Sequence, residues 1–127
     1  MIGDKIKLYL PARAEYILTI RMAVSAIATR LNCSLDVIED LKAGAAEACI
    51  MFLNLPIVPV SFDITISISS DFSFEVSGVG ETSFDSVDGE EAAILSKCLI
   101  EEFYEKSDFS YEGETLKKIL ISRKIED

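Results

Sequence analysis

Two alternating runs between residues 61 and 77 narrow the fold more than any other feature of this chain. Phe62, Ile64, Ile66 and Ile68 alternate with Ser61, Asp63, Thr65, Ser67 and Ser69. After Ser70 and Asp71, Phe72, Phe74 and Val76 alternate with Ser73, Glu75 and Ser77. A period of two sends successive side chains to opposite faces of a sheet, and Ser-Asp suits a tight turn. The segment therefore reads as a β-hairpin with one apolar and one polar face. Only the apolar face needs a cover, which points to an antiparallel sheet with helices on one side.

The cover lies on either side in the sequence. A short strand, Lys5 to Leu10, ends at Pro11, a residue suited to the threshold of a helix. The helix expected over about Ala12 to Leu31 has one apolar stripe of Ile17, Ile20, Val24, Ile27, Ala28 and Leu31. Leu18, Met22 and Ala26 form a second stripe on nearly the opposite side, so one face meets the sheet and the other asks for a helix or a partner chain. Ser34 is a good N-cap for a second helix running to about Asn54, stopped by Pro56 and Pro59. Its core stripe is Ile38, Leu41, Ala45, Ala48, Phe52 and Leu55. Beside it runs a stripe of Asp40, Gly44, Glu47, Met51 and Asn54. A third helix, about Glu90 to Tyr104, is expected to bury Ala92, Leu95, Leu99 and Phe103. A last hairpin, Phe109 to Tyr111 and Thr115 to Ile125, turns at Glu112-Gly113-Glu114. The order β-α-α-β-β-α-β-β predicts one α/β domain over residues 1–127, an α+β two-layer sandwich with a mixed, mostly antiparallel sheet.

Composition removes several function classes. The chain of 127 residues has no histidine, which excludes Ser-His-Asp and Cys-His catalysis and most zinc sites. Any general base must be a carboxylate, Lys, Tyr or Cys. A net charge of −10 opposes binding to nucleic acid or to anionic membranes. The one tight basic cluster, Lys117-Lys118 with Arg123 and Lys124, suits a solvated sheet face. No apolar run reaches the ~20 residues of a membrane span. Cys33, Cys49 and Cys98 are too scattered for a disulfide framework. With no secretory signal at the N-terminus, the reading is a cytoplasmic protein with no metal site.

The first two helices carry a family resemblance. Pro11, Ala12, Arg13, Ala14, Glu15 and Tyr16, then Ile20, Arg21, Ser25, Ala28 and Arg30, then Ile38, Glu39, Asp40, Leu41 and Lys42, then Glu47, Ala48 and Cys49, closely resemble the bacterial anti-sigma-factor serine/threonine kinases. Leu99, Ile100 and Glu101 continue it more sparsely. These kinases belong to the histidine-kinase-like (GHKL) ATPase superfamily, so the resemblance implies that superfamily's Bergerat fold.

It also implies where a nucleotide site would lie, and there this chain departs from the pattern. The family's second helix carries a Glu as general base and, four residues on, an Asn that holds Mg²⁺ on the triphosphate. Here Glu47 matches the Glu, but Met51 stands at the Asn, and a thioether is a poor ligand for a hard cation. Asn54 lies one turn further along. The family's Asp-x-Gly, whose Asp recognises adenine, corresponds to Gly78 and Gly80, with Glu81 nearby but out of register. The Gly-x-Gly whose backbone amides meet phosphate corresponds to Ile94 and Ser96. The lid loop is shortened to roughly residues 81–89. Each change has a plain reading: Glu47 as a leftover carboxylate, Gly78 and Gly80 as turn residues, Met51 as core filler. Their coincidence carries the expectation of a vestigial nucleotide site with no cofactor, ATP and Mg²⁺ entering only if that site still works.

Two functions follow from the resemblance. One is a regulator acting by protein–protein binding to a sigma factor or an anti-sigma factor antagonist. Glu15, Leu18, Arg21, Met22 and Ala26 would be its partner surface, with a homodimer open. The alternative is an active kinase that phosphorylates such an antagonist. A fold cousin binding another small ligand in the altered pocket is also open.

Overall fold

The computed structural model describes residues 1–81 and 90–125. Strand β1 (Lys5–Pro11) leads through a 3₁₀ turn at Ala14–Tyr16 into helix α1 (Ile17–Arg30), followed by helix α2 (Leu35–Leu53). Strands β2 (Ser61–Ile68) and β3 (Asp71–Val79) form the expected hairpin. Helix α3 (Glu90–Phe103) and the hairpin of β4 (Lys106–Glu112) and β5 (Thr115–Lys124) complete the order. Among the described residues the strands form one sheet in the order β1-β2-β3-β5-β4. Every pairing in it is antiparallel, so the mixed sheet expected from sequence is corrected.

The registers explain the core. Ile6, Ile66, Phe74 and Ile121 lie abreast, as do Leu8, Ile64, Val76 and Ile119. All are buried except Ile6 and Leu8, which are half-buried on the edge strand. Burying each such side chain contributes roughly 1.5–3 kcal/mol, which fixes the inward face, since a one-residue slip would expose the whole row. Leu116 and Ile119 are both buried although three residues apart. The register shift opposite Ser110 and Tyr111 makes this consistent: the extra residue in β5, Lys117, turns the alternation over by one.

The helices stack on that face with α2 in the middle, packed between α1 and α3. Ser34 caps α2, its hydroxyl accepting from the Val37 amide at 3.3 Å. Asn32 takes the left-handed conformation (φ 60°) that turns the chain back from α1 into α2. Ile20, Val24 and Ala28 are fully buried, as the first stripe of α1 predicts.

Two helix readings need correction. Helix α1 begins at Ile17, not near Ala12, because sheet pairing continues past Pro11: the Ala12 amide donates to the Val60 carbonyl at 3.0 Å. Arg13 remains extended (φ −139°, ψ 150°). Along α3 and the residue after it, Ser96, Ile100 and Tyr104 are buried and Ala93 is half-buried, whereas of the expected stripe Leu95 is exposed and Ala92, Leu99 and Phe103 are only half-buried. The buried stripe is rotated by one residue, about 100°, from the apolar one. Tyr104 accounts for the rotation, because its hydroxyl donates to the Leu41 carbonyl at 2.8 Å and anchors the end of α3 on α2.

Candidate functional site

Two places gather the residues singled out by sequence. The first is the α2 face that carries Asp40, Gly44, Glu47 and Met51, and α3 lies against it. The Ser96 hydroxyl donates to Glu47 Oε1 at 3.4 Å, and Glu47 is half-buried. One turn back, the Tyr104 ring lies on Gly44, so that a Cβ at residue 44 would overlap its ring carbons. A turn further back, Arg123 of β5 donates to Asp40 Oδ2 at 2.9 Å and to the Phe103 carbonyl at 3.2 Å. One cation thus pairs an α2 carboxylate and caps the C-terminal end of α3. Met51 is buried in the core.

Gly78 faces inward, in register with Phe62 and Leu10. A Cβ there would stand 3.0 Å from the Phe52 ring and 3.1 Å from Pro59, so an α2 aromatic occupies the space above it. Phe52 meets Phe62 edge-on with centroids 6.2 Å apart. Gly80 has φ +77°, the left-handed conformation that favours glycine. Asn54 closes α2 as its C-cap residue. Ile94 is exposed on α3. Glu81 is exposed, and residues 82–89, which complete the segment expected as a shortened lid, lie outside the described residues.

Burial sets the titration behaviour here. The Cys49 thiol is pushed far above its usual range by complete desolvation. Tyr104 is also raised, by burial first, with Arg123 pulling the other way. Both are neutral at physiological pH, and neither is poised as a nucleophile or base.

The second place is on α1. Leu18 and Met22 are 64% and 63% exposed. With Arg21, Ser25 and Ala26, and with Lys42 from α2, they line a shallow groove of about 270 Å³. The structure thus brings together four of the five partner residues expected from sequence. Glu15 is exposed on the 3₁₀ turn and does not line the groove. Sequence reasoning missed Lys42, which reaches the groove only because α2 packs beside α1. It also missed the Gly44–Tyr104 and Asp40–Arg123 contacts. A lone glycine within a helical pattern was the available signal for the former.

With this geometry in hand, comparisons with known proteins add a partial likeness. No family model matches the chain. Over 46 residues it is 41% identical to the serine-protein kinase RsbW of Bacillus thuringiensis strain Al Hakam. The RsbW proteins of Bacillus cereus B4264 and Bacillus anthracis A0248 match to the same extent. The likeness covers 36% of this chain and 29% of those relatives. It supports kinship with the anti-sigma factor kinases over that segment. Among the described residues no helix is long and apolar enough to cross a membrane.

Proposed function

We propose that this chain is a regulatory protein of the anti-sigma-factor kinase type. In this reading it has the histidine-kinase-like fold, acts by binding a protein partner, and has lost nucleotide chemistry. The observation that carries the reading is the seating of α3 on the Glu47 face of α2. Ser96 engages Glu47, the carboxylate that matches the general base of the family it resembles, and Tyr104 fills the space over Gly44. The residues at the positions expected for a nucleotide site suit Mg²⁺-ATP poorly. Met51 offers sulfur to a hard cation, Gly78 supplies no carboxylate for an adenine amino group, and the Phe52 ring lies where such a carboxylate would point.

Partner binding then falls to the α1 groove. Leu18 and Met22 offer exposed apolar area, and interfaces favour a dry apolar centre with charges at the rim. A sigma factor or an anti-sigma factor antagonist is the partner class that the resemblance suggests.

Thermal melting with and without Mg²⁺-ATP tests the loss of nucleotide chemistry. A nucleotide at a hundred times its Kd would stabilise the fold by about 2.7 kcal/mol, a rise on the order of 10 °C in Tm. The expected shift is below about 1 °C, and a large rise would overturn the reading. Light scattering at two concentrations, on the parent and on Met22→Glu, tests the groove as a dimer contact. A dimer unchanged by the substitution places that contact elsewhere.

The second reading, an active kinase, has one observation in its favour: Glu47 stays half-buried on the face where the family's base belongs. Transfer of the ATP γ-phosphate to an anti-sigma factor antagonist, abolished by Glu47→Gln, would establish it.

A further inference from the structure

Strand β1 is a sheet edge with β2 as its neighbour. Its ladder has a definite phase. The Ala12 amide donates to the Val60 carbonyl and, at the other end, the Ile68 amide donates to the Asp4 carbonyl, both at 3.0 Å. Antiparallel strands use every second residue for such exchanges, so Ile6, Leu8 and Leu10 bond inward to β2. The N–H and C=O groups of Lys5, Lys7 and Tyr9 therefore point away from the sheet. The row ends at Pro11, which has no N–H, and whose carbonyl accepts from the Arg13 amide at 2.9 Å. The edge is an open template three residues long with a fixed stop.

Its chemistry differs from that of the whole molecule. Residues 5–13 carry Lys5, Lys7 and Arg13 and no acid, in a chain of net charge −10. Among the described residues neither Lys5 nor Lys7 has an anionic partner, and the Arg13 guanidinium lies 5.7 Å from the centre of the Tyr16 ring. Where the template stops, a groove of about 450 Å³ opens, lined by Tyr9, Pro11, Arg13, Pro59 and Val60 among others. Tyr9 is 67% exposed and held in orientation by the Ser61 hydroxyl, which donates to its oxygen at 3.1 Å.

Edge lysines commonly discourage a sheet from pairing with its own kind. That role explains why a second copy is a poor occupant here, since antiparallel β1–β1 pairing would crowd four lysines together. It does not explain a groove at the end of the row. We propose that this edge takes an extended acidic segment of a partner protein as an added strand. Acidic side chains would lie beside Lys5 and Lys7, and one apolar side chain would enter the groove at Tyr9 and Val60. Strand addition draws its affinity from main-chain bonds and its selectivity from alternate side chains.

A fluorescein-labelled peptide of alternating glutamate and valine, with leucine in place of one terminal glutamate so that an apolar side chain falls on the Tyr9 face, is the probe, and the same peptide with lysine for each glutamate is the control. The acidic probe is expected to bind at least tenfold more tightly than the control, and to weaken as salt rises. Lys7→Pro removes an N–H that the ladder does not use. It should leave Tm nearly unchanged and abolish binding, while Lys7→Glu, which keeps the N–H, should weaken binding more than tenfold. On adding probe, amide exchange should slow at Lys5, Lys7 and Tyr9. The proposal fails if the acidic probe shows no binding up to about 1 mM, or if Lys7→Glu binds it as the parent does. It fails equally if Met22→Glu abolishes binding, which would put the peptide in the α1 groove, or if the chain is a dimer that Lys7→Glu separates, which would make a second copy the occupant.

Discussion

Replacing Gly44 with alanine probes the seating of α3 on α2. In an exposed helix interior this change would stabilise by about 1 kcal/mol, since glycine is the poorer helix former. Here the added Cβ meets ring carbons of Tyr104, and Tyr104 is 2% exposed and held by its hydroxyl bond to the Leu41 carbonyl. The ring is therefore not the loose end of a flexible side chain. Overpacking of this kind costs about 1–3 kcal/mol. If the ring is driven outward, the buried hydroxyl loses its partner at a further cost of about 1–3 kcal/mol. Set against the propensity gain, the net expectation is a loss of about 2 kcal/mol, a fall of roughly 5–10 °C in Tm. Urea unfolding of the parent, Gly44→Ala, Tyr104→Ala and the double variant would measure it. Tyr104→Ala alone should cost about 3–5 kcal/mol, and with the ring gone Gly44→Ala should become neutral or stabilising. A Gly44→Ala chain at least as stable as the parent would refute the close packing of α3 on this face.

Two further outcomes follow from the same region. Arg123→Ala should destabilise by about 1 kcal/mol, because its pair with Asp40 is partly exposed and screened; Asp40→Asn should lose less, as the Phe103 carbonyl keeps its bond. Urea unfolding compares the two. The raised Cys49 and Tyr104 groups make stability fall in alkali. Above the unfolded values, near 9.0 for the thiol and 10.0 for the phenol, the unfolded chain has released protons that the folded chain still holds. The pH slope of unfolding free energy is then negative. Stability should hold at neutral pH and decline from about pH 9 upward, and Cys49→Ala should flatten the first part of the decline.

Some residue patterns in this chain encode their structure locally and others do not. Alternation at 61–77 was legible because one face must be apolar and the other need not be. The Ser34 cap was legible because a side-chain oxygen at that position has few other uses. The stripe of α3 was misread because apolarity ranks Leu95 above Ser96. The orientation was decided by a tyrosine hydroxyl finding the Leu41 carbonyl, 63 residues away in sequence. Helix α1 starts late for a similar reason, since the Val60 carbonyl holds the backbone of Ala12 in the sheet.

The sequence by itself determined the order of elements, the inward face of the hairpin, the exclusion of histidine chemistry and the presence of two apolar faces on α1. These depend on periodicity and composition, which are local. Only the tertiary structure decided that Glu47 faces Ser96, that Phe52 lies over Gly78, that Lys42 joins the α1 groove and that the cationic strand β1 forms an open edge. Those facts arise where distant segments meet, and pairing energies and side-chain volumes set such meetings more than any one segment's pattern does.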